Sequence, residues 1–145
     1  MPGAGFSHYD VPAVTEQAQL GYQGYIVYQS ADYTDGLGVY VTRCVAGSEM
    51  HFCVIVRGGE YAASGVPMSV VVRKQGVAPV IAGAGDLTYG QYVGAAGGNS
   101  DYRDGRGVHK DTDGDYVIGR CIKGATAGNV ALVELAEIPF RLRKP

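Results

Sequence analysis

The chain reads as a series of short apolar runs, rich in Val, Ile and Tyr, separated by glycine-containing turns. Residues of this kind favour the pleated, half-buried surface of a strand. Strands are predicted at Gly24–Gln29, Gly38–Val45, Met50–Arg57, Met68–Arg73, Val77–Ala82, Gln91–Ala95, Tyr116–Lys123 and Asn129–Leu135. At the C-terminus, Ile138, Phe140 and Leu142 alternate with Pro139, Arg141 and Arg143, the pattern of a half-exposed edge strand. Asp35-Gly36, Gly58-Gly59, Asp104-Gly105 and Asp113-Gly114 supply tight turns. Val14–Leu20 has room for one or two helical turns, with Thr15 as cap. Short strands at close spacing with little helix predict an all-β fold, a small barrel, β-tulip-like domain or sandwich. Residues 1–13 carry Pro2, Gly3, Gly5 and Pro12 without periodicity and are expected to form an extended N-terminal arm, leaving 14–145 as a single β domain.

An internal echo runs through that series. Leu20-Gly21-Tyr22-Gln23-Gly24-Tyr25-Ile26 and Leu87-Thr88-Tyr89-Gly90-Gln91-Tyr92-Val93 share the form L-x-Y-x-x-Y-[IV]. Further on, Asp35-Gly36, Tyr40-Val41 and Arg43-Cys44 are echoed by Asp113-Gly114, Tyr116-Val117 and Arg120-Cys121. Either glycine- and tyrosine-rich strands resemble one another by chance, or residues of about 14–68 and 80–136 form two similar β units packed within one domain.

Composition narrows the function classes. Twelve basic and 14 acidic residues among 145 give a net charge of −2, without the clustered Lys and Arg that phosphate contacts or an anionic membrane demand. The 23 glycines accompany 46% hydrophobic residues, so they belong to turns and not to a disordered linker. Cys44, Cys53 and Cys121 lie in apolar runs with no CxxC spacing and are expected to be reduced, buried and small. The N-terminus lacks a basic segment followed by an apolar one, so no signal peptide is expected, and no apolar run approaches the ~20 residues needed to span a bilayer.

Reactive chemistry finds no foothold in the sequence. His8, His51 and His109 are scattered, with no HxH or HExxH spacing for zinc. Asp111, Asp113 and Asp115 alternate as calcium ligands do, but Gly114 precedes the third carboxylate and Ile122 stands where an EF-hand loop needs its glutamate. Gly83-Ala84-Gly85-Asp86 lacks the spacing of a phosphate-cradling loop, and no GxSxG elbow occurs. The expectation is a protein that is not an enzyme and needs no cofactor or metal. The polar stretch Ala95–Asp113 is long for a structureless loop and suits a surface excursion that reaches a neighbour.

Residues 78–136 carry a family resemblance. Ala78-Pro79-Val80-Ile81-Ala82-Gly83-Ala84-Gly85-Asp86-Leu87 leads into a strand. After the loop, Gly114-Asp115-Tyr116-Val117-Ile118-Gly119-Arg120-Cys121 is followed by Ala125-Thr126-Ala127-Gly128 and the valine-rich Asn129–Val133. This succession resembles the capsid decoration (cement) proteins of tailed bacteriophages. The resemblance implies a compact barrel or tulip on the outer surface of the virion, made in the host cytoplasm and associated as a homotrimer. Its partners would be the major capsid protein and itself, with neither nucleic acid nor membrane. On that reading the arm and the long loop supply the contacts, through Phe6, His8, Tyr9, Val11, Tyr102, Arg103 and Arg106. A tail or baseplate β module is the alternative, followed by a carbohydrate-binding module, which the absence of Trp disfavours.

Overall fold

A computed structural model describes residues 9–15, 23–29, 39–43, 53–58, 69–96 and 105–143. Among them all regular structure is β. The strands are β1 (Tyr9–Thr15), β2 (Ile26–Gln29), β3 (Val39–Arg43), β4 (Cys53–Gly58), β5 (Ser69–Ile81), β6 (Tyr92–Ala95), β7 (Gly107–His109), β8 (Tyr116–Lys123) and β9 (Val130–Arg141). They form one nine-stranded sheet in the order β1-β3-β2-β4-β5-β9-β8-β6-β7, with β1 also pairing β5. The last pairing closes β1-β3-β2-β4-β5 into a ring of five. A second ring, β5-β9-β8-β6-β7, is nearly closed by the parallel bridge between Ala82 and Gly107 and by the Gly83 N–H donating to the Gly107 carbonyl at 2.8 Å.

The two rings share connectivity and register. In each, the first strand is parallel to the third, the third antiparallel to the second, the second to the fourth, the fourth to the fifth and the fifth to the first. Val27↔Arg43, Tyr28↔Thr42 and Gln29↔Val41 recur 66 residues later as Val93↔His109, Gly94↔Val108 and Ala95↔Gly107. Ile26↔Val54 and Val27↔Cys53 recur at the same offset, 92 − 26 = 66, as Tyr92↔Arg120 and Val93↔Gly119. Even the bulge between Ile55 and Arg57 returns between Cys121 and Lys123. Pro12 opposite Val71 matches Pro79 opposite Leu132, so each first strand holds its proline at the same place in the ladder.

Matching glycines begin the second strands. Gly24 and Gly90 have φ of 88° and 89°, a region costly for residues with a Cβ. Their N–H groups donate to the Ile55 and Cys121 carbonyls at 2.7 and 2.8 Å. The Ile55 and Cys121 N–H groups return bonds to the Tyr25 and Gln91 carbonyls at 3.0 and 2.8 Å.

Each ring has its own interior, and the rings meet through one face. Ala13, Val27, Cys53, Ile55, Val70 and Val72 fill the first. The second is filled by Ala78, Val80, Val93, Cys121, Ala131 and Val133, together with Leu87 and Ile118. Ile26 and Val54 alternate with Val27 and Cys53 and so point out of the first ring, yet both are fully buried in the core of the second. Burying two such side chains contributes about 1.5–3 kcal/mol each.

The structure merges and adds to the expected strands. Met68–Arg73 and Val77–Ala82 are one continuous strand, β5, because at the kink of Gly76 (φ 99°) the chain passes directly from pairing with β1 and β4 to pairing with β9. Asn129–Leu135 and the C-terminal strand are likewise continuous in β9, where Ala136–Pro139 lie opposite Ile118 alone. The arm boundary moves: Tyr9–Ala13 belong to β1 and pair with β3 and β5, because Val11 and Ala13 supply apolar surface to the first ring. Val14 and Thr15 are also strand, and the rest of the expected helix lies outside the described residues. The internal echo is in the wrong register. At the structural offset of 66, Tyr25 matches Gln91 and Tyr92 matches Ile26. The counterpart of β8 is β4, not the Tyr40–Cys44 strand. Cys53 and Cys121 are both buried; Cys44 lies outside the described residues.

Two expectations follow. Arg73 is half-buried, and its Nε and Nη2 donate to Asp10 Oδ1 and Oδ2 at 2.8 and 3.1 Å, while Nη1 donates to the Val77 carbonyl at 2.8 Å. Arg73→Met, which keeps the aliphatic stem, should lower unfolding free energy by about 1.5–3 kcal/mol in urea titration, the range for hydrogen bonds to charged groups. Burial raises the Cys121 thiol above its ordinary value, only partly offset by a backbone hydrogen bond at Lys123. An aromatic disulfide reagent at neutral pH should therefore modify Cys121 only on unfolding, read by peptide mass spectrometry; rapid modification of the folded protein would refute the packing described.

Candidate interaction surface

Side-chain chemistry on the outer faces differs sharply between the two rings. On the first ring, the cross-strand row Ile26–Val54–Arg73–Asp10 runs from a dry end under the second ring to the Arg73–Asp10 ion pair. The matching row of the second ring is Tyr92–Arg120–Glu134–Val77, with Arg120 and Glu134 exposed. Aromatic Tyr92 and cationic Arg120 stand where the first ring has aliphatic Ile26 and Val54, and Glu134 and Val77 stand where it has the Arg73–Asp10 ion pair.

These groups form an organised cluster. The Arg120 guanidinium carbon lies 5.0 Å from the centre of the Tyr92 ring, and Nη2 donates to the Tyr92 hydroxyl at 3.2 Å. Phe140 meets Tyr92 edge to face, with centroids 5.8 Å apart and planes at 88°. Next to it, the Arg141 guanidinium sits 4.5 Å from the centre of Tyr116. Each arrangement falls within the range of a cation–π contact, which holds a long side chain in one place without burying its charge. Phe140 remains 37% exposed and Ile138 76% exposed, so apolar surface stands beside fixed cations. Aromatic residues and arginine are the types enriched in the energetically dominant parts of protein interfaces.

Two smaller features lie on the first ring. Tyr9 is 55% exposed, with Lys74 Nζ 5.9 Å from its ring centre. Pro12, Arg57, Gly58, Ser69, Val70 and Val71 line an open, mainly apolar cleft of about 290 Å³.

Of the contact residues expected from sequence, Tyr9, Val11 and Arg106 fall among the described residues, the first two on β1 and the third in the second ring. Tyr9 is at the exposed start of β1, while Val11 packs against the core of the first ring. Arg106 precedes β7 in the second ring, with its Nε buried and without a hydrogen-bond partner. Phe6, His8, Tyr102 and Arg103 lie outside the described residues. Sequence reading missed Tyr92, Arg120 and Phe140. The signal lies in the 66-residue offset, which sets Tyr92 and Arg120 against the aliphatic Ile26 and Val54, whereas the L-x-Y-x-x-Y-[IV] echo pairs Tyr92 with Tyr25, one residue away.

The aspartates at 111, 113 and 115 serve a turn. Asp115 Oδ2 accepts the Thr112 N–H at 3.1 Å, and the Asp115 N–H donates to the Thr112 carbonyl at 3.1 Å. Asp86 Oδ1 accepts the Ala127 N–H at 3.1 Å, tying two turns together. Among the described residues no group of three or more His, Cys, Asp or Glu side chains is placed to hold a metal ion.

Compared with known proteins, the chain matches no family model and no curated protein by sequence. Its fold does have a counterpart among solved structures. It is similar to the head fiber gp8.5 N base of bacteriophage phi29, with a TM-score of 0.60 and 17% identity, over 95% of this chain and 100% of that one. At that identity the likeness establishes a shared fold along nearly the whole length of both chains.

Proposed function

We propose that this chain is a non-enzymatic structural protein of a tailed-phage head, docking on the outer capsid surface and binding the major capsid protein. The observation that carries the reading is the end-to-end fold likeness to a head fiber base, two lengths matched with nothing left over on the other chain. The sequence resemblance to capsid decoration proteins points to the same location from different residues. Exposed polar groups with visible roles are tied into turns, strand pairs and cation–π contacts.

Within that location two roles differ physically. A cement protein bridges neighbouring capsid subunits and raises the work needed to separate them; association as a homotrimer would multiply weak contacts through multivalency. A base anchors an appendage and needs to hold only itself. The likeness to a fiber base favours giving the second role equal footing with the first, and it favours head over tail or baseplate.

Heads purified without this protein, mixed with it and pelleted, should carry down a fixed number of copies per head. Protein left in the supernatant at every salt concentration would end the proposal. In the same samples, a higher temperature of head disruption marks cement and an unchanged one marks an anchor. Since β1 begins at Tyr9, the arm is tested by removing Met1–His8 only. If the arm contributes capsid contacts, affinity should fall at least ~10-fold, equivalent to ~1.4 kcal/mol; unchanged affinity would assign the contacts to the rings.

A further inference from the structure

We infer that the Tyr92–Arg120–Phe140 face is the docking site for a second copy of this chain, which would be contacted through its N-terminal ring. The inference goes beyond the head assignment and does not depend on it.

The argument starts from how the first ring is covered. Three contacts from the second ring seal the end of β2 and β4. The Ile81 N–H donates to the Gly24 carbonyl at 3.1 Å, the Ile26 N–H donates to the Gly105 carbonyl at 2.6 Å, and the Ile81 side chain lies directly over Gly24. A Cβ at Gly24 would come within 2.9 Å of Ile81 Cγ1. Beneath this cover Ile26 and Val54 are fully buried.

The same backbone exists in the second ring without its cover. Gly90 is the counterpart of Gly24, with nearly the same φ and the same bond to the fourth strand, yet among the described residues nothing lies within 4 Å of where its Cβ would be. Tyr92 and Arg120 replace Ile26 and Val54. An amphipathic aromatic and an arginine tolerate water before docking and bury well afterwards, whereas Ile and Val at an open face would carry a standing exposure cost. Phe140 and Ile138 add apolar surface beside them.

The internal interface also specifies what fits. The covering elements are the end of the second ring's first strand, at Ile81, and the approach to its third strand, at Gly105. By register, their first-ring counterparts are the end of β1 at Val14 (81 − 67) and the start of β3 at Val39 (105 − 66), and these strands pair in parallel. A second copy therefore presents the matching backbone on its N-terminal ring and repeats across chains the contact made within one. Such a contact joins different patches on the two copies, a head-to-tail interface.

Light scattering on the purified chain at ~50 µM should give a mass of several 15.2 kDa chains, and Arg120→Glu or Phe140→Ser should return it to a single chain that keeps the β circular dichroism spectrum of the wild type. The double variant Val39→Cys/Tyr92→Cys should form a disulfide between chains under mild oxidation, because Ile26 and Gly105, their internal counterparts, are joined by a direct backbone hydrogen bond. Neither single variant should cross-link above the background of the native cysteines. A single-chain mass for the wild type at all concentrations overturns the inference, as do variants that keep the oligomer with no cross-link. A monomeric wild type whose capsid binding is lost in Arg120→Glu overturns it too, and assigns the face to the capsid. Failure to bind capsids with the oligomer intact would instead remove the head assignment and leave this inference standing.

Discussion

One strand fixes the architecture, and one arginine fixes the strand. β5 is the last strand of the first ring and the first strand of the second, so the angle at its middle sets how the rings sit together. That middle is Gly76, whose φ of 99° allows a kink that a side chain would oppose. Arg73 spans it, gripping the Asp10 carboxylate of β1 with two nitrogens and the Val77 carbonyl beyond the kink with the third. A fork of fixed donors suits this task better than a single ammonium would, since it constrains direction as well as distance. The contact of Ile26 and Val54 with the second core depends on that angle.

Fold class was legible because it depends on local signals. The Val- and Tyr-rich runs and Asp-Gly turns place most strands within a few residues, and Tyr116–Lys123 was bounded correctly at both ends. The misses share a cause. β1 was hidden because Pro12 and the flanking small residues read as an arm, yet a proline is tolerated where the ladder asks for no donor. β7, only Gly107–His109, is too short to show any period, and tertiary pairing with β6 defines it. The splits at residues 74–76 and 136–137 followed polar interruptions that a kink and a bulge absorb without ending the strand. The candidate surface was less legible than the fold. It is formed by side chains from β6, β8 and the end of β9, whose proximity is a property of the register alone.

The repeated register separates what the backbone requires from what the side chains decide. Positions facing into the rings stay small or aliphatic in both: Val27 and Val93, Ile55 and Cys121, Val72 and Val133. Position 53 is Cys and its counterpart is Gly119, so volume varies while polarity does not. Facing outward, Ile26 and Val54 match Tyr92 and Arg120, a change of chemistry at constant geometry. The hydrophobic effect is blind to direction, so a dry outer face persists only where something covers it. The first ring is covered by its own chain, and the second carries residues suited to a surface that is wet until it is occupied.

That asymmetry bears on how such a protein can hold to a large assembly. A single face with one aromatic cluster and two ordered cations offers a modest area, and association must first offset the loss of rigid-body freedom. Two rings locked by Arg73 and by a shared core lose little internal freedom on docking, so more of the contact energy survives as affinity. Repeating the same contact between copies multiplies the remainder, because each bound copy raises the effective concentration of the next. Rigidity between rings and a complementary face at each end are therefore one requirement seen twice. Loosening the kink at Gly76 would disorder the donor and acceptor faces together, which ties stability in this fold directly to its capacity to assemble.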